Sequence, residues 1–355
     1  MNLGAVDQIA KAVLYEGYML YPYRASSVKN QQRWNFGVLA PPSYSEAQNG
    51  TEACSMQTEC LIEGSCLTGL EVRVRFLQLV ARTVGQLDLP VNALPEGEPP
   101  PFHLVGRLKV NGRMYQAWQE AIEREVVLPL CNVEALGQGA ITQGFFYPAD
   151  RQFEWLRESN EGDIVAVLVR DRSALRGEVE VTGTSQGDGL FKICVRIRNT
   201  TPFEGASQAS REDALLSSLA SAHTVLEVHD GLFISLLAPP DSVSDLAATC
   251  RNIGTYPVLV GKEGDHDTVL SSPIILYDYP QIAPESAGDL FDGTEIDEIL
   301  SLRIMTLTDD EKLEMSQSDE RARLMLERTE TLPAEQLMKL HGVLRGLRPL
   351  KEEAR

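Results

Sequence analysis

Between Leu70 and Thr83 the chain reads LEVRVRFLQLVART, with Val72, Val74 and Phe76 alternating with Arg73 and Arg75. A period of two puts the apolar side chains on one face of an extended strand and the guanidinium groups on the other, which a helix cannot do. The chain must therefore build a sheet with one buried face. The same reading applies to MQTECLIEG (56–64), DIVAVLVRD (163–171), YPVLVG (256–261) and SPIILYDY (272–279). Turn chemistry predicts three hairpins. Asn111-Gly112 favours a two-residue turn, Gln186–Gly189 joins the strands of GEVEVTGTSQGDGLFKICVRIRN, and Asp230-Gly231 would turn TVLEVHDGLFISLL. From Val13 to Leu39, a run rich in strand formers and aromatics predicts two more strands around a polar turn at residues 26–32.

Helix signals are fewer and gather late. Ser210 with Asp213 caps SREDALLSSLASAH, and a short helix is expected over 242–250. Beyond residue 294 strand signals stop: Thr294 with Asp297 and Thr308 with Glu311 open two helices, and Pro333 opens a last one. Strands and helices do not alternate as βαβ units, so the fold class is α+β, with β-rich N-terminal and middle parts and a helical C-terminal tail. Length allows two domains and a tail. The division expected is a β-rich domain over 1–150, with a proline-rich connector at 89–101, a mixed α+β domain over 151–285, and an acidic loop with the tail over 286–355.

A formal charge of −19 opposes binding to bare nucleic acid or an anionic membrane, both of which need clustered Lys and Arg. No apolar run is long enough to span a bilayer, and the start of the chain lacks a basic segment before an apolar core, so a cytoplasmic location is expected. The six cysteines form no C-x-x-C pair and no disulfide framework. Cys54, Cys60 and Cys66 are spaced too widely for a zinc ribbon, although three converging thiolates would bind metal. Cys60 is the first of them to test. His229, beside Asp230, and His266, between Asp265 and Asp267, are the other metal or base candidates. No cofactor or catalytic residue is expected, because nucleotide-binding and nucleophile motifs do not occur.

Two stretches suit a protein partner. Tyr18, Tyr21, Tyr23, Arg24, Lys29, Arg33 and Trp34 combine aromatic and basic side chains, the composition of interface hot spots. Asp278, Tyr279, Glu285, Asp289, Phe291 and Asp292 set apolar residues among acids, in a region where nine acids between Glu285 and Glu311 face Arg303 alone. Asp289–Gly293 lacks the alternate oxygen ligands of a calcium loop, and acids in the first turn of a helix complement its dipole. Apolar residues there would either pack inward or dock a partner.

VLYEGYMLYPYRASSVKNQQRWNFG, MQTECLIEG with LEVRVRFLQLV, and SSPIILYDYPQIAPESAGDLFDGTEIDEILSLRIMTLTDDEK with LPAEQLMKLHG resemble an uncharacterised protein family associated with NiFe hydrogenase gene clusters of actinobacteria and related bacteria. The resemblance implies a non-catalytic accessory role. A hydrogenase subunit or maturation factor would be the partner, for binding, assembly or maturation. Cys54 and Cys66 are not part of the family's pattern. The alternatives are an enzyme or metal-handling protein using scattered Cys, His and carboxylate groups, and a structural subunit that oligomerises through the tail.

Overall fold

In the computed structural model, residues 3–15, 35–95, 98–281, 304–318 and 320–331 are described. Among these residues strands far outnumber helices, an α+β fold dominated by sheet. The strands are β1 (Ser55–Val91), β2 (Phe102–Val105), β3 (Arg107–Val110), β4 (Arg113–Gln116), β5 (Trp118–Val127), β6 (Cys131–Asn132), β7 (Ile141–Tyr147), β8 (Asp150–Arg157), β9 (Ile164–Arg172), β10 (Leu175–Gly187), β11 (Leu190–Asn199), β12 (Ala220–Ile234), β13 (Tyr256–Leu259) and β14 (Thr268–Ser272).

The two alternating segments of the sequence, MQTECLIEG and LEVRVRFLQLVART, are parts of one 37-residue strand, β1. Straight, it would run about 120 Å, so it has to bend. Bulges bend strands, and β1 has irregular register with β12 between Gly64 and Gly69 and again between Arg75 and Leu77. The first is pinned by Thr68, whose Oγ1 accepts from Ser65 N (2.8 Å) and donates to Asp230 O (2.7 Å). All partners of β1 are antiparallel: β11, β6, β5 and β2 follow one another, and β12 and β9 also pair with it. The sheet therefore joins strands from both sides of residue 150.

One face of this sheet carries Met56, Cys60, Ile62, Leu70, Val72, Val74 and Phe76 of β1, packed with Val179 and Val181, Ile193, Val195 and Ile197, and Leu226 and Val228. A sheet can bury one face against itself only by curving around it. Close approach at the curve excludes side chains at Gly177, where a Cβ would lie 2.2 Å from the ring of Phe145. On the opposite face lies helix α1 (Leu3–Tyr15), whose Val6, Ile9, Ala10 and Val13 pack on Val225, Val258 and Leu270.

Several expectations are corrected. Val13 does not begin a strand: it belongs to the helical stripe 6, 9, 10, 13, 14, which buries one face of α1. Of the rest of the expected pair, 16–34 lies outside the described residues, and 35–39 form no strand beyond the isolated bridge of Leu39 to Leu219. Ser210 and Asp213 form their capping box, but the helix ends at Leu215 because Ala220 already enters the ladder beside Leu77. Asp230-Gly231 is not a hairpin turn. Asp230 takes a left-handed φ of 54° while β12 stays paired with β1 on both sides, so the kink is a bulge within one strand. The last buried strand is TVLSS, not SPIILYDY, since Pro273 follows β14 directly.

Other expectations are met. Asn111 and Gly112 adopt positive φ in the β3–β4 turn, and β10 and β11 join through Gly187–Gly189. Thr308 and Glu311 form the expected capping box at the helix Asp309–Ser318. Thr294, Asp297 and Pro333 are outside the described residues. No helix among the described residues is long and apolar enough to cross a membrane.

Candidate protein-interaction face

The edge strand β13 explains how residues 273–281 are held. Pro257 has no N–H to offer a neighbouring strand. Leu259 N donates to Asp278 Oδ1 (2.8 Å), and Leu259 O accepts from Tyr279 N (2.7 Å). Asp278 Oδ2 accepts from Ser235 Oγ (2.5 Å), which itself accepts from Ala238 N (2.9 Å). One carboxylate thus ties the segment to the edge of the sheet and to the end of β12. Tyr279, turned inward by a φ of 58°, packs against the central core, and its hydroxyl meets the Gly264 backbone. Leu276, 5% exposed, packs beneath α1.

Between these anchors Ile275 and Tyr277 point the other way, 73% and 86% exposed. The period of two along 275–278 separates an inward set, Leu276 and Asp278, from an outward pair. The sequence marked Asp278 and Tyr279 for a partner; their polar and aromatic groups are spent on the fold. Ile275 was missed, since nothing local distinguishes an exposed isoleucine from a buried one in an apolar run.

Asp278 gives a direct test of this anchoring. Replacing it with alanine strands the Leu259 N–H and should cost about 1–3 kcal/mol. Asp278→Asn, which keeps an acceptor, should cost less. Urea unfolding checks the order, and an unchanged midpoint for Asp278→Ala would remove the anchor's role.

The remaining candidates do not converge. Tyr18, Tyr21, Tyr23, Arg24, Lys29, Arg33, Trp34, Glu285, Asp289, Phe291 and Asp292 lie outside the described residues. Cys54 precedes β1, Cys60 lies buried within it, and Cys66 sits exposed in its first bulge. Cys60 is buried in the central core, where loss of hydration pushes its thiol well above the ordinary range. Cys194, paired with Glu59, projects from the other face. His266 Nδ1 lies 3.0 Å from Phe233 O, while Asp265 accepts from Lys262 N and Asp267 from Thr268 Oγ1. These two acids serve their own turn and not the imidazole. His229 stands on β12 opposite Gly69. Among the described residues, no group of three His, Cys, Asp or Glu side chains is placed to hold a metal ion.

A second polar cluster lies under α1. Asp7 reaches Arg73 and Arg75 at 3.8 and 3.6 Å, and Glu227, almost fully buried, lies 3.7 Å from Arg73. His223, opposite Arg75 in register, is completely buried, with Nδ1 3.0 Å from Ser221 O. Burial, aided by the positive charge of Arg75, lowers its pKa to about 4.

No family model matches the chain, and no curated protein matches it either.

Proposed function

We propose that this chain is a non-catalytic accessory protein that binds a protein partner through Ile275 and Tyr277, the partner being a NiFe hydrogenase subunit or its precursor. The observation that carries the binding role is the outward pair itself: two large apolar side chains held in fixed directions by Leu276, Asp278 and Tyr279. Exposed apolar side chains on a rigid segment lose little entropy when covered, which favours their use as interface anchors. The choice of partner is supported by the resemblance of SSPIILYDYPQIAPES and its neighbouring stretches to the hydrogenase-associated family.

The test is co-purification from a lysate that contains the hydrogenase. The wild-type chain should co-elute with a hydrogenase subunit, and Ile275→Ser with Tyr277→Ser should reduce recovery at least tenfold. Thermal unfolding of the double variant should stay close to wild type, since neither side chain is buried. Retained association of the variant would overturn the assigned face. Absence of any hydrogenase subunit in the wild-type eluate would overturn the partner. Charge reversal at Arg24 and Arg33 tests, in the same assay, whether the Tyr/Arg stretch takes part.

A further inference from the structure

The same face of the sheet that holds the central core carries, further along β1, a row of arginines. Phe76 stands opposite Arg124, Val80 opposite Glu120, and Arg82 opposite both Trp118 and Arg170. Asp150 pairs with Arg172 and Gln152 with Arg170, so β8 adds its own residues to this face. The row lies between two apolar clusters, one ending in Phe76, Phe145 and Tyr147 and the other built on Val84, Val110 and Leu168. It contains four guanidinium groups, Arg82, Arg124, Arg170 and Arg172. Their neighbouring carboxylates are three, Glu120, Glu154 and Asp150. A local excess of positive charge in a chain of −19 calls for an explanation.

The excess is not spread evenly. Arg170 is fully engaged, 2.7 Å from both Glu120 and Glu154. Arg82, 8% exposed, reaches Glu120 at 3.0 Å and Gln116 O at 3.3 Å, but its Nε is buried without a hydrogen-bond partner. Arg172 makes one long contact to Asp150, at 3.5 Å, and its Nε is likewise buried without a partner. Arg124 has no carboxylate within 4 Å among the described residues. Its Nε donates to Gln78 Oε1 (3.0 Å), and its guanidinium lies 4.3 Å over the ring of Tyr147.

Gln78 ties Arg124 to the main chain next to Arg172. Fully buried, it accepts from Arg124 and donates from Nε2 to Ser173 O (2.9 Å), beside Arg172. A glutamate at this position would neutralise Arg124; an amide only orients it. Two cations held near one another in a poorly hydrated place are unfavourable unless an anion joins them. Loss of hydration, and after it the charge of Arg172, push the Arg124 guanidinium below its ordinary range.

We propose that Arg124 and Arg172, oriented by Gln78 and Asp150, form a binding site for a small oxyanion with two negative charges. Phosphate esters and dicarboxylates share that chemistry, and the planar fork of arginine suits the paired oxygens of either. Tyr147 supplies the apolar wall that holds the Arg124 plane in place.

Isothermal titration of the full chain at low ionic strength, with inorganic phosphate in one arm and succinate in the other, tests the site. At least one dianion should bind saturably with one equivalent per chain, and tenfold more weakly in Arg124→Gln and in Arg172→Gln. Affinity should fall as sodium chloride is raised. The arm that binds identifies the source. The wild-type protein also provides a test that needs no variant: the binding dianion should raise Tm above that in sodium chloride of equal ionic strength. The proposal is overturned if neither dianion binds saturably, or if both substitutions leave the affinity unchanged.

Discussion

Phe76→Ala should lower the free energy of unfolding by about 3–5 kcal/mol. The ring is completely buried at the point where the central core meets the arginine row, 5.5 Å from the ring of Phe145 and 6.1 Å from that of Tyr147. Removing it deletes apolar surface and also leaves a cavity whose walls cannot close. Backbone ladders hold β1 to β5 on one side and to β12 on the other at this level, so neither neighbour is free to move inward. Cavity cost grows with the volume left open, which places this substitution toward the upper part of the range. Leu232→Ala, at a half-exposed position on β12, should stay within about 0.5 kcal/mol and serves as the control. Urea unfolding of the three proteins decides it. A loss below about 1 kcal/mol for Phe76→Ala would mean that the curved sheet is not organised around this ring.

Acidification should weaken the fold through His223, by about 3 kcal/mol between pH 6.5 and pH 4. The folded pKa of about 4 lies below the unfolded value of 6.5. Between those values the unfolded chain holds a proton that the folded chain does not, so stability falls as pH falls. The contribution is complete above about pH 6.5, shrinks through that window, and is lost as pH passes below the folded value. Burial is the main cause and the charge of Arg75 adds to it; the Ser221 carbonyl, which can accept from Nδ1–H, works in the opposite direction. Unfolding free energies measured from pH 7 to pH 4 for wild type and His223→Gln separate this residue from the carboxylates, which titrate in both proteins. The wild-type curve should drop more steeply. Parallel curves would show that His223 is protonated alike in both states.

Local patterns in the sequence reported local structure well. Alternation at Val72, Val74 and Phe76 identified both the strand and its buried face, and all three are fully buried. Asn111-Gly112, Ser210 with Asp213 and Thr308 with Glu311 each behaved as their side-chain chemistry requires, because a turn or cap is decided by groups only a few residues apart. The errors arose where a local signal competed with a distant ladder. Asp230-Gly231 would turn a free chain, but pairing with β1 on both sides makes it a bulge. SPIILYDY has the composition of a strand, yet the edge it would extend is occupied by Pro257 and by the side chain of Asp278.

The candidate sites divide along the same line. That Tyr277 and Asp278 belong to a notable segment could be read from composition, but not that one faces out and the other closes a sheet edge. The arginine row gave no signal at all: Arg82, Arg124 and Arg172 come from three strands and look in sequence like the polar half of ordinary alternation. By itself the sequence determined the period of its strands, the chemistry of its turns and caps, and its net charge, each a property of neighbouring residues. Tertiary structure alone decided which polar groups meet, because antiparallel pairing between residues 36 to 173 positions apart sets which side chains share a face. It also decided which charges are left without partners.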